Sequence, residues 1–178
     1  MFRTIRADLD ARRRAAAAAG ESPWGSMWQR GAIAVIVYRF GRFARALKFP
    51  LLGLPAKLIY YVLFYFTQML TGISIQAYAK IGPRFVVRNH TGIFVLAEQI
   101  GADFTVCEGV TVGNIRGKGR LPIIGDRVYL EPGCKVLGNL TIGDDVVIRA
   151  NSLVLNDVPS RSIVIGNPAR VLPMPSED

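Results

Sequence analysis

Histidine is almost missing from this sequence: His90, in the stretch VRNHTGI (87–93), is the only one in 178 residues. That scarcity argues against a metal site built from several histidines. It also leaves one candidate general base near neutral pH, because imidazole is the one side chain whose unperturbed pKa falls there. Cysteine is scarce as well. Cys107 and Cys134 form no C-x-x-C pair and are too few for a zinc site or a disulfide framework, so a reducing compartment is expected. Long apolar runs are lacking too. In FPLLGLPAKLIYYVLFYFTQML (49–70) the uninterrupted run, Leu58 to Phe66, falls far short of the ~20 residues that span a bilayer. Pro50, Gly53, Pro55 and Lys57 break the approach to it. The start, MFRTIRADLDARRRAAAAAG, lacks the basic, apolar, small-residue order of a secretory signal, so the body is expected to be cytosolic.

Acidic residues are few at the start of the chain. Residues 1–48 hold ten Arg or Lys against Asp8, Asp10 and Glu21, so +7 of the formal +9 sits there. A basic segment beside apolar sequence suits anionic lipid headgroups or an acidic partner. Nucleic acid is not expected as a partner, since no recognised motif accompanies the charge.

What the chain does contain falls into two textures. Residues 2–19 are rich in Ala and Arg and predict a helix ended by Gly20 and ESPWG. A second helix is predicted from about Ser26 to Lys48, where Trp28, Ile33, Val37, Phe40 and Ala44 make an apolar stripe beside arginines. Residues 49–70 leave two readings open: a segment at a lipid interface or against a partner subunit, or an ordinary helix covering the end of the main domain. After Thr71 apolar residues recur every sixth position: Ile75, Ile81, Val87, Ile93, then Ile100, Val106 and Val112, and after an interruption Ile124, Leu130, Val136, Ile142, Ile148 and Val154. Period six fits neither a helix nor a plain strand. It fits a parallel β-helix whose coils each comprise three six-residue flats, with the anchor inward and a Gly or polar residue at the corner. The interruption, 113–123, is Gly-rich and basic. Lys118 is followed by Gly rather than Ser or Thr, so it is not a Walker loop, yet it suits the phosphates of an extended cofactor. The expected organisation is a helical segment (1–72), a repeat domain (73–171) with loop 113–123, and a tail (172–178).

The segments ISIQAYAKIG, TGIFV, FTVCEGVTVGN, CKVLGNLTIGDDVVIRANSLVLNDVP and IGNPARV cover most of 73–171. They resemble the left-handed β-helix acyltransferases of the hexapeptide-repeat family. Within that family they are similar to the serine acetyltransferase-like branch, and most to the acetyltransferases of colanic-acid-type exopolysaccharide clusters. The resemblance implies a mainly β fold, a left-handed parallel β-helix with an N-terminal helical segment. It also implies a homotrimer, acetyl-CoA as donor, no metal, and a hydroxyl acceptor in the cleft between subunits. Relatives use a histidine as general base, two residues after the anchor and often preceded by Asp. Here Asn89 occupies that position and His90 follows it. Thr91, two before the next anchor, is expected to face inward, which turns His90 outward towards the cleft. Glu98 and Glu108 are candidates for the orienting carboxylate that Asn89 cannot supply. For the cofactor, the resemblance implies Gly113 and Asn114 at a turn, Cys134 and Ala150 along the pantetheine arm, and Lys118, Arg149 and Arg170 near phosphates.

Serine acetyltransferases carry an Asp and a His in the first coil and an Arg-His pair before the loop's Pro. The matching positions here are Ser74, Gln76 and Arg120-Leu121, and only Arg120 agrees. An ammonium buried without its carboxylate is costly, which counts against free serine as acceptor. The expectation is therefore an acetyl-CoA-dependent O-acetyltransferase acting on a sugar hydroxyl or a lipid-linked oligosaccharide in exopolysaccharide or capsule assembly. It would be cytoplasmic and peripheral at the inner membrane face, with membrane-surface contact through residues 1–70. The alternatives are a serine O-acetyltransferase of cysteine biosynthesis and a catalytically silent trimeric scaffold.

Overall fold

The computed structural model describes residues 2–20, 30–47, 50–89, 91–115 and 119–175. His90, Lys118 and Trp28 lie outside the described residues. Three helices, α1 (Phe2–Ala18), α2 (Arg30–Ala46) and α3 (Pro50–Thr71), precede the repeat region. Gly20 and Gly72, at φ 73° and 67°, close α1 and α3 in the left-handed conformation that glycine adopts without a Cβ penalty.

The repeat region is a left-handed parallel β-helix of about five coils. Its first face stacks β1 (Ile73–Ile75), β4 (Ile93–Val95), β7 (Thr111–Gly113), β10 (Lys135–Leu137) and β13 (Leu153–Val154). The second stacks β2 (Lys80–Ile81), β5 (Gln99–Ile100), β8 (Ile123–Ile124) and β11 (Thr141–Ile142). The third stacks β3 (Val86–Val87), β6 (Thr105–Val106), β9 (Tyr129–Leu130), β12 (Val147–Ile148) and β14 (Ser162–Ile165). Finally β15 (Arg170–Pro173) folds back antiparallel on β14, so sheet pairing runs two residues into the segment read as a tail.

Period six points the anchor of each flat inward, with the residue two before it, and stacking the coils turns the anchors into columns. Ile75, Val95, Val112, Val136 and Val154 form one, and Ile81, Ile100, Ile124, Ile142 and Val158 the second. Val87, Val106, Leu130, Ile148 and Val164 form the third. All are buried, and each such side chain contributes roughly 1.5–3 kcal/mol on removal from water.

One anchor departs from the expected phase. Ile75 pairs with Val95, while Ile93 pairs with Ile73. The step from Val87 to Val95 is therefore eight residues rather than six, and the surplus lies in the corner that holds Asn89, His90 and Thr91. Ile93 takes the inward place two before the anchor, and Thr91, expected to face inward, is exposed. The alternation used to orient His90 does not run through this corner.

The helices close the N-terminal end of the coil. Tyr38 of α2 donates its hydroxyl to Ala79 O (2.8 Å) and accepts from Ile81 N (2.9 Å), capping strand groups that have no earlier coil to pair with. Asp8 of α1 accepts from Arg39 Nε (2.7 Å) and from Phe85 N (3.0 Å), while Arg39 donates to Ile81 O and Gly82 O. Arg12 reaches the Val87 carbonyl. The buried Asp8–Arg39 pair thus has its remaining hydrogen-bonding capacity used, the condition under which a buried ion pair is tolerated.

Candidate active site

The corner between the third and first faces carries the candidate base. In the first coil it reads Arg88-Asn89-His90-Thr91-Gly92, and Cys107-Glu108-Gly109 lies above it in the second coil. Gly92 and Gly109 have φ 64° and 68°, and their stacking, with Gly109 N donating to Thr91 O (2.8 Å), lets the corners lie directly over one another. Asn89 Nδ2 donates to Glu108 Oε2 at 2.7 Å, bringing a carboxylate to the residue preceding His90. Glu98 lies elsewhere, exposed beside β5 on the second face.

Beside this pair, Tyr129 OH lies 3.5 Å from Cys107 Sγ and accepts from Arg88 Nη1 at 3.4 Å. Burial pushes both the Cys107 thiol and the Tyr129 phenol above their ordinary values, so both are neutral at pH 7. Higher on the same corner Glu131 accepts from Arg149 Nη1 (2.7 Å) and from Ala150 N (2.9 Å). Arg149 therefore already carries a carboxylate partner, unlike the free phosphate contact the resemblance implied. Arg88, Tyr129 and Glu131 went unnoticed in the sequence. The available signal was spacing, since Glu131 and Arg149 occupy one hexad position eighteen residues apart.

The first face presents the remaining candidates. Ser74 lies in β1 opposite Phe94, pointing away from the coil axis, yet it is only 6% exposed because α2 and α3 pack over β1. Gln76 follows at the next corner, half-buried. Across that corner the loop leaves β7 after Gly113, where a Cβ would meet the Phe94 ring at 3.4 Å, and Asn114 is half-buried. Arg120 and Arg170 are exposed, and neither makes an ion pair among the described residues.

Cys134 is not a cofactor contact. It occupies the inward place two before Val136, is 0% exposed, and burial pushes its thiol up to about 12. Its side chain belongs to the core, so no ligand lying along the outer face reaches it. Among the described residues no group of three or more His, Cys, Asp or Glu is arranged to hold a metal ion.

A coil with this hexad pattern and these faces defines a class, and comparison with known proteins narrows it. Residues 122–156 match the bacterial transferase hexapeptide (six repeats) model. A serine acetyltransferase of Staphylococcus xylosus is 46% identical over 111 residues, which is 60% of this chain and 50% of that protein. The chain therefore spans about half the length of the curated relatives it matches. Among solved structures, a Neisseria gonorrhoeae serine acetyltransferase in complex with serine superposes with a TM-score of 0.79 at 28% identity, over 96% of this chain and 68% of that one. A serine acetyltransferase in complex with CoA gives a TM-score of 0.79 at 28% identity, over 95% of this chain and 68% of that chain.

These likenesses correct the expected function. The relatives and structures named above are serine acetyltransferases, so the exopolysaccharide branch and its sugar acceptor are not supported. The argument against serine treated the positions of Ser74 and Gln76 as the only source of a carboxylate. That matching of positions is outweighed by the 46% identity over 111 residues to a serine acetyltransferase.

Proposed function

We propose that the chain is an acetyl-CoA-dependent serine O-acetyltransferase, working as a homotrimer with its acceptor cleft between copies. The observation that carries this reading is the 46% identity to a serine acetyltransferase over 111 residues. The residues present suit the donor: Gly113 and Asn114 leave a slim turn beside Phe94, and Arg170 is an exposed cation suited to phosphate, with Lys118 a second in the loop. When bound, acetyl-CoA supplies an activated thioester.

His90 accepts the proton of the serine hydroxyl as its oxygen bonds to the acyl carbon, and returns it to the departing sulfur when the C–S bond breaks. The products are O-acetylserine and CoA. Asn89 and Glu108 form the positioning pair behind this base. Their 2.7 Å hydrogen bond supports Glu108 as the negative charge that Asp provides in relatives. Arg120 suits the serine carboxylate.

The test is thiol release from acetyl-CoA by the purified chain with free serine as acceptor. Serine-dependent release that drops about 10²–10⁴-fold in His90→Ala is expected. Glu108→Gln should lower the rate less and move the pH profile. Release that ignores serine, or a His90→Ala variant as active as the parent, would overturn the assignment.

A further inference from the structure

α3 is apolar nearly all the way round. Its buried stripe, Gly53, Tyr60, Phe64, Thr67 and Thr71, recurs at helical spacing and packs on α2, where Gly41 admits the Tyr60 ring. The opposite side should then be polar if water covers it. Instead Leu54, Leu58, Val62, Tyr65, Phe66 and Met69 are exposed, with Leu54 at 73% and Met69 at 87%. Only Lys57 and Gln68 interrupt that side, while α2 adds exposed Ile33, Ile36 and Phe43. A surface of this extent on one element marks contact with another apolar phase. Among the described residues no helix is long and apolar enough to cross a membrane, so the contact would be along the helix rather than through a bilayer.

Charge selects the occupant. Residues 22–97 contain nine Lys or Arg and not one Asp or Glu. Arg42 lines an open cleft of about 450 Å³ with Thr4, Phe43, Ala46 and Pro83, and Arg45 lies 5.9 Å from the Tyr78 ring. A second copy docking through this face would bring like charges together with no carboxylate on either side. Arg39 and Arg84 are taken up by Asp8 and Asp103, but Arg42, Arg45 and Lys57 remain, and an anionic headgroup layer meets these three with opposite charge.

We propose that α2 and α3 seat the protein on the surface of an anionic lipid bilayer, α3 lying in the plane of the interface with its apolar side in the acyl boundary. Arg42, Arg45 and Lys57 pair with lipid phosphates. The seat leaves the β-helix, and whatever reaction it performs, projecting from the surface, so it stands independently of the acceptor assigned above.

Flotation of the full chain with phosphatidylcholine vesicles, with and without phosphatidylglycerol, tests this. Binding is expected with the anionic vesicles, weakened by salt and lost in Val62→Glu/Phe66→Glu. These positions are exposed, so the variant should retain the circular dichroism of the parent. Arg45→Gln/Lys57→Gln should weaken binding about fivefold per charge removed. Absence of binding to anionic vesicles would overturn the proposal, as would binding indifferent to the glutamates. If the glutamates instead split a larger assembly that never binds vesicles, the face belongs to a second copy and the proposal is likewise wrong.

Discussion

Cys134 and Asn89 show how far one residue's place in the hexad decides its chemistry. Two before an anchor, Cys134 points into the column and keeps its proton up to about 12, from an ordinary value of 9.0. The folded protein is thus favoured by this group in full below pH 9, and that contribution is lost as pH rises through 9.0 towards about 12, because the unfolded chain releases the proton first. At pH 8 the buried thiolate is about a thousandfold rarer than that of a free thiol. Iodoacetamide should therefore leave Cys134 unlabelled in the native protein and modify it on unfolding in urea, as followed by peptide mass spectrometry. Rapid native labelling at Cys134 would mean that it faces outward. Asn89, by contrast, sits on an exposed corner where its amide can reach a carboxylate one coil away.

At the scale of the coil, the same corner repeats from turn to turn with alternating charge. Arg84, Asp103, Arg127, Asp145 and Arg161 all adopt φ between 56° and 62°, stacked at the corner between the second and third faces. Arg84 Nε donates to Asp103 Oδ1 and Arg127 Nε to Asp145 Oδ1, each at 2.6 Å. Those hydrogen bonds hold both carboxyls below their ordinary value of 3.8. A lowered carboxyl pKa favours the fold above the unfolded value and loses that effect as pH falls through the folded one. Because these pairs are solvated, the effect is small. Asp145→Asn should lower the urea midpoint slightly near pH 6, and the difference from the parent should shrink as the pH falls below 3.8 and the carboxyl takes up its proton. A difference that persists in acid would place the cost in the strained corner rather than in the charge.

For the whole molecule, the β-helix was legible because its signal is redundant: six anchors from Ile124 to Val154 keep phase, and all six are buried. The corner at Asn89–Thr91 was only partly legible: a two-residue surplus there is offset by one residue in the short step from Val95 to Ile100, so the sequence shows it only as a seven-residue step from Ile93 to Ile100. Three helical stretches were readable from spacing and composition. The Asp8–Arg39–Phe85 clamp was not, because it joins residues as much as 77 apart that no periodicity links. The sugar acceptor expected from Ser74, Gln76 and Leu121 rested on three positions, which the identity of 46% over 111 residues to a serine acetyltransferase outweighs. The central claim is that serine receives the acetyl group at a site built round His90. Mass spectrometry of the small-molecule products after incubating the chain with acetyl-CoA and serine tests it most directly. The account predicts O-acetylserine with the parent and almost none with His90→Ala; unmodified serine with an active donor-binding parent, or equal product from both proteins, would contradict it.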